Sequence, residues 1–253
     1  MPTARRGERH LPWDACSNIR DVGGYRLAGG ATTRWGAVVR ADNLCRLTPK
    51  GQAALVSYGV RTIIDLRTSA ELADAPHPFA GVSELQETPT YLHMPLYGDD
   101  ELSEAEIDLI DSMPDLYRLI LARAQHRVGA VVRAVAEARD GGVLVHCWLG
   151  KDRTGVVVAL LLALAGADEE TIIQDYALSD THLSVAYERI MASIPADSPE
   201  RLRVAAQLTS HPQTMRDTLA FLSTTYGGAE GYLRDAGVEP AHITAIADRL
   251  RAR

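Results

Sequence analysis

Cys147 and Arg153 stand with five residues between them in the run Val143-Leu144-Val145-His146-Cys147-Trp148-Leu149-Gly150-Lys151-Asp152-Arg153-Thr154-Gly155. A thiol and a guanidinium at this spacing, with a glycine in the turn, suit nucleophilic attack on a tetrahedral oxyanion. Sulfur supplies the attacking atom. The backbone N–H groups of Trp148, Leu149, Gly150, Lys151, Asp152 and Arg153 can ring the anion. The Arg153 guanidinium can take two of its oxygens in a fork, which a lysine cannot do. Thr154 is placed to offer its hydroxyl to the sulfur as it departs, and Asp152 brings a carboxyl group for proton transfer.

Such a constellation needs a strand before it and a helix after it. Residues 143–145 are apolar, with β-branched valine at 143 and 145, the pattern of a short buried strand. Residues 156–165 form an unbroken apolar run, long enough for a core helix and too short to span a bilayer. The loop between them closes on a helix N-terminus, where free N–H groups and the positive end of the helix dipole attract anions. The same field favours an ionised cysteine sulfur. Other readings of the loop fit less well. A lone cysteine after a strand is commonly a core residue, but the spacing to Arg153 and Gly150 argues for chemistry. A nucleotide-binding Walker loop needs a glycine where Val145 stands and Ser or Thr where Asp152 stands. Zinc ligation fails because His146 and Cys147 are adjacent and no second Cys/His pair has ligand spacing.

The run His146-Cys147-x-x-Gly150-Lys151-Asp152-Arg153-Thr154-Gly155 resembles the signature of the cysteine-based protein tyrosine phosphatases, in particular the broad-specificity bacterial branch typified by mycobacterial tyrosine phosphatase B. Two further segments resemble that branch: Asn18-Ile19-Arg20-Asp21-Val22-Gly23-Gly24-Tyr25, and Thr62-Ile63-Ile64-Asp65-Leu66-Arg67 followed by Glu71. The likeness runs from about residue 15 to the end. It implies an α/β fold with a central, mostly parallel sheet flanked by helices, and a helical lid inserted at residues 180–212, where the residues alone fit a plain peripheral helical pair as well. It implies hydrolysis of phosphomonoesters through a cysteinyl phosphate, without metal or other cofactor. The implied substrates are a phosphorylated protein, peptide or phosphoinositide, and Arg20 and Asp21 become framework close to the site. Two classes remain beside it: a module that grips phosphorylated ligands without turnover, and a sulfurtransferase or arsenate reductase using the same thiol cradle.

Three carboxylates compete for the role of acid. Asp152 lies in the cradle itself, and the resemblance favours it. Asp65 closes an apolar strand at 60–66, and ligands gather at the C-terminal ends of such strands; Arg67 is its expected partner. Asp99, with Asp100, sits on an acidic loop upstream.

The 253 residues are 46% hydrophobic and 23% charged, which suits one domain over 1–253 with a substantial core, preceded by a loose tail over 1–14. A net charge of −7 argues against nucleic acid as a partner. Lys50 and Lys151 are the only lysines, and Lys151 would add charge that a polyanionic headgroup favours. The three cysteines are too scattered for a disulfide framework, and Arg5, Arg6 and Arg9 precede no apolar signal core. A cytoplasmic protein without an integral membrane segment is expected, and the resemblance adds a route of export that uses no such signal. Oligomeric state is not written in the sequence. Elsewhere the patterns predict a hairpin of 25–27 with 37–40, a turn-stabilising Arg20–Asp21 pair and a helix opened by Thr48 and closed by Gly59. They also predict a strand at 90–96, helices at 103–111 and 114–139, and two helices after Thr214.

Overall fold

The computed structural model describes residues 7–81, 88–98, 100–110 and 112–252. Among them, one sheet is built from β1 (Arg20–Asp21), β2 (Val38–Ala41), β3 (Val60–Asp65), β4 (Thr90–His93) and β5 (Gly142–His146). The strand order is β1-β2-β5-β3-β4. Only the β1–β2 pair is antiparallel, so the sheet is mostly parallel, as expected. The strand that leads to Cys147 is therefore central. All five of its residues are buried, the continuous apolar run that a strand covered on both faces requires. Val143 and Val145 face one apolar cluster, and Leu144 faces the other.

Eleven α-helices surround the sheet in the described residues: α1 (Pro49–Tyr58), α2 (Ser69–Asp74), α3 (Glu104–Asp108), α4 (Met113–Arg123), α5 (Gln125–Glu137), α6 (Asp152–Ala165), α7 (Glu169–Ser193), α8 (Pro199–Leu208), α9 (Pro212–Tyr226), α10 (Ala229–Asp235) and α11 (Pro240–Leu250). The apolar α6 packs directly on β5 and is buried along almost its whole length. Helix α1 is delimited as its sequence predicts: the Thr48 hydroxyl accepts from the Gly51 N–H, Pro49 sits in the first turn, and Gly59 closes the helix at φ +101°.

Several expectations are corrected. The partner of β2 is the Arg20–Asp21 strand, not residues 25–27; Arg26 instead bridges to Thr32 and Leu27 to Ala167. The helix expected over 114–139 is two helices meeting at Ala124. The bend lets Ile120 and Leu121 on one half and Val128, Val131 and Val135 on the other all reach the core. The C-terminal region holds three helices, because Pro240 opens one of its own. The expected tail over 1–14 is packed from Arg9 onward among the described residues. Leu11 and Trp13 are buried, the Leu11 N–H donates to the Ile19 carbonyl, and Trp13 meets Tyr58 edge to face. Their apolar bulk shields the apolar face beside α1. The segment 180–212 is strongly helical: its first part completes the 25-residue α7, and α8 turns back after residues 194–198.

Candidate active site

The phosphate loop runs from buried Cys147, at the end of β5, to Asp152, the first residue of α6. Gly150 adopts φ +65°, and a Cβ there would lie 2.3 Å from the Ala41 carbonyl oxygen. Only glycine lets the loop turn this close to β2. The loop carbonyls are held from behind. The Asn43 N–H donates to Trp148 O at 2.9 Å, Asn18 Nδ2 to Leu149 O at 2.9 Å, and an Arg40 terminal nitrogen to Gly150 O at 2.7 Å. With the carbonyls bound on that side, the amide dipoles point toward the bowl, the arrangement that captures an anion.

Arg40 is itself anchored. Its other terminal nitrogen lies 2.5 Å from Asp175 Oδ2 on α7, and Arg20 Nε lies 3.2 Å from Asp175 Oδ1. Arg20 also donates to Asn18 Oδ1 and Ser179 Oγ, and the Tyr25 hydroxyl donates to Asp175. Burial alone would raise the Asp175 carboxyl, yet the two guanidinium charges hold it well below the usual carboxylate range. The expected Arg20–Asp21 pair is thus replaced by a buried Arg20–Asp175–Arg40 triad. Asp21 instead accepts from the Gly23 and Gly36 N–H groups and the Tyr58 hydroxyl.

Arg153 meets Glu71 of α2 through both terminal nitrogens, at 2.5 and 2.7 Å. Glu71 is fixed by its own capping box with Thr68. Burial opposes its ionisation, and the bonds and charge of Arg153 together with the Thr68 bonds outweigh burial to lower its pKa. The Arg153 guanidinium lies 5.5 Å from the centre of the Tyr97 ring. Asp152 receives the Tyr117 hydroxyl at 2.5 Å on Oδ1. Thr154 is fully buried, and its hydroxyl has no hydrogen-bond partner.

Lys151 departs from expectation. Its ammonium is buried and turns to the end of α8, donating to the carbonyls of Gln207, Leu208 and Thr209, the last two at 3.2 and 3.3 Å. The unpaired carbonyls and negative dipole end of a helix C-terminus draw a cation there.

Asp65 is paired with Arg67 as expected, through bonds of 2.7 to 3.1 Å, and also accepts from the Tyr91 hydroxyl at 2.9 Å. Although burial acts against it, the Arg67 bonds hold this carboxyl well below its usual range. It stays ionised and committed to Arg67, which is unsuited to donating a proton. Behind Cys147, His146 Nδ1 lies 3.2 Å from the Cys147 carbonyl, and its ring stacks on His77, which stacks on Tyr91. Burial lowers the His146 pKa to about 4, so the ring is neutral near pH 7.

Asp65, His77 and His146 bring three potential metal ligands within 4.8 Å of one another, a grouping the sequence did not reveal. The Phe79 N–H donates to His77 Nδ1 at 3.1 Å. The neutral His77 ring then carries its proton on Nε2, which offers no lone pair, and Arg67 adds positive charge beside the cluster. The group therefore fits a metal poorly. Asp99 lies outside the described residues.

A model of the tyrosine phosphatase family matches residues 11–252. The chain belongs to the tyrosine phosphatase family. A tyrosine-protein phosphatase of Nostoc commune is 34% identical over 229 residues, covering 85% of this chain and 74% of the relative. The triple specificity protein phosphatase PtpB of Mycobacterium tuberculosis is 31% identical over 275 residues, covering 94% and 97%. As a tyrosine phosphatase the chain is a phosphoric monoester hydrolase acting on phosphorylated substrates, and this kinship does not favour the binding-module and sulfurtransferase readings. Among the described residues, no helix is long and apolar enough to cross a membrane.

Sequence reasoning missed Arg40, Asn43, Asp175, Tyr117 and Tyr176. Each reaches the loop across a gap in sequence, Asp175 from 135 residues beyond Arg40, and no local pattern marks them. The signal that was available is chemical: a lone arginine inside the apolar stretch 37–41 demands a buried anion.

Proposed function

We propose that Cys147 is the nucleophile of a protein tyrosine phosphatase and that Asp152 is its acid and base. The sulfur attacks phosphorus, forming the S–P bond as the ester P–O bond breaks, and the leaving oxygen takes its proton from the Asp152 carboxylic acid. Water then attacks the cysteinyl phosphate and gives a proton to the Asp152 carboxylate. The S–P bond breaks, and Thr154 donates a hydrogen bond to the departing sulfur. Arg153, aligned by Glu71, and the loop amides of Trp148 to Arg153 stabilise the equatorial oxygens. Asp65 serves as a buried counter-ion that orders Arg67 and the face behind His146.

The observation that carries this reading is the set of loop carbonyls bound from behind by Asn43, Asn18 and Arg40. Such a bowl is organised before the substrate arrives, which is the condition for electrostatic stabilisation of a phosphoryl transition state.

Beside Asp152 opens a cavity of about 240 Å³, lined by Ile107, Met113, Leu116, Leu149, Val204 and Leu208 among others. An apolar cavity on the side of the acid suits an aromatic leaving group, so phosphotyrosine is the preferred substrate. The Mycobacterium relative is named for triple specificity, and broad activity that extends to phosphoserine, phosphothreonine or phosphoinositides is the finer proposal. Helix α8, which supplies one wall of the cavity and holds Lys151, acts as a lid, and the enzyme works in a reducing, cytoplasmic setting. The test is a panel of phosphotyrosine peptide, phosphoserine peptide and phosphoinositide, assayed for phosphate release. Higher kcat/KM on the phosphotyrosine peptide is expected. Faster turnover of the phosphoserine peptide would contradict the role given to the cavity.

A further inference from the structure

Helix α7 reaches the phosphate loop through two adjacent residues. Asp175 does so through Arg40, as described. Tyr176 does so through Tyr117 on α4: the two hydroxyl oxygens are 2.9 Å apart, and the Tyr117 oxygen is 2.5 Å from Asp152 Oδ1. A phenol has one proton to give. The Tyr117 proton goes to the carboxylate, so Tyr117 accepts the Tyr176 proton, and the chain runs in one direction from α7 to Asp152. Both tyrosines are buried, and their rings meet edge to face at 6.2 Å. Gly155, in the first turn of α6, lies so close that a Cβ there would be 3.0 Å from the Tyr176 ring. The pair is therefore wedged against the turn that carries Asp152 and Arg153.

We propose that Tyr117 is a positioning residue for the proton transfer at Asp152, with Tyr176 holding it in register. The inference rests on Asp152 being the acid and extends that reading to a specific oxygen. The Tyr117 hydroxyl and the Lys151 ammonium, at 3.3 Å, both fall on Oδ1. With Oδ1 accepting the Tyr117 hydrogen bond and facing the Lys151 charge, the proton of the carboxylic acid resides on Oδ2. Tyr117 thus makes the two oxygens inequivalent and leaves Oδ2 as the atom that delivers the proton to the leaving group and later takes one from water. Burial, joined by the nearby Asp152 charge, pushes both tyrosine hydroxyls well above their usual pKa, so each remains a donor across the working pH range.

The experiment compares Tyr117→Phe, Tyr176→Phe and Asp152→Asn on an alkyl phosphate and on p-nitrophenyl phosphate, with melting midpoints measured alongside. An alkoxide leaves only with a proton, whereas p-nitrophenolate leaves readily without one. Tyr117→Phe is expected to lower the first-turnover rate of ester cleavage on the alkyl phosphate about tenfold, keeping KM and the first-turnover release of p-nitrophenolate within about twofold. Tyr176→Phe, which keeps Tyr117 in place, is expected to show the same selectivity with a loss of about threefold. Equal losses on both substrates, or none on the alkyl phosphate while Asp152→Asn suffers one, would overturn the role of Tyr117 and leave Asp152 as the acid. Wild-type alkyl turnover by Asp152→Asn would overturn the acid assignment and this inference together.

Discussion

Replacing Asp175 by Asn removes one negative charge from between two buried guanidinium groups and changes little else in shape. Arg20 keeps Ser179 Oγ and the Asp175 main-chain carbonyl as acceptors, and Arg40 keeps Gly150 O. What is lost is neutralisation: two side chains that are 0% exposed are left as cations facing an amide. Breaking a buried ion pair from one side typically costs about 3–5 kcal/mol, a large part of a normal domain's total of roughly 5–15 kcal/mol. For a chain of this length, about 2 °C accompanies each kcal/mol, so the melting midpoint is expected to fall by roughly 6–10 °C. The sign of the pH dependence follows. Asp175 is depressed in the fold, so its contribution is complete above the ordinary carboxylate pKa of about 4 and is lost as pH falls further below it. Thermal melts of both proteins from pH 8 down to pH 3 read the effect, with Asp168→Asn, an exposed cap on the same helix, as control. The gap between Asp175→Asn and the wild type should be constant near neutrality and narrow in acid. A midpoint within 2 °C of wild type at pH 7 would refute the reasoning that the triad holds the loop from behind.

Arg153→Lys should lower kcat by about 10²–10³-fold on any phosphomonoester, since a lysine cannot reproduce the fork toward both Glu71 and phosphate; steady-state kinetics reads this directly. Gly150→Ala should abolish tungstate binding by calorimetry, because the new Cβ would strike the Ala41 carbonyl at a positive φ. Asp42, which accepts the Ser17 and Asn18 N–H groups, is raised to about 6 by burial. It therefore binds a proton more tightly folded than unfolded, and stability should decline as pH rises from about 4 to about 6 and then level off. Urea titrations across that window check it, and Asp42→Asn should flatten the decline.

The fold was legible where a local rule governs it. Strand, loop and helix around Cys147 follow from β-branched residues, one glycine and an apolar run, and α1 follows from Thr48 and Gly59. Legibility failed where long-range packing decides. No proline or glycine marks the bend at Ala124, which exists because two apolar stripes must reach one sheet. Lys151 reads as a charge for the bowl, yet the open carbonyls at the end of α8 compete for it, and that end lies more than fifty residues away in sequence. Asp65 reads as a candidate acid at a strand end, and Arg67 two residues on binds it as a permanent carboxylate. The residues that support the loop, Arg40 and Asp175, are ordinary charges until the chain folds them together.

Turnover by this mechanism passes through a covalent bond between Cys147 and phosphorus. Rapid acid quenching during turnover of a phosphotyrosine peptide, followed by peptide mass analysis, is expected to find one phosphoryl group on the fragment that contains Cys147. Cys147→Ser should show neither that adduct nor turnover, while still binding tungstate. A phosphoryl group on any other residue, or turnover by Cys147→Ser at the wild-type rate, would contradict it.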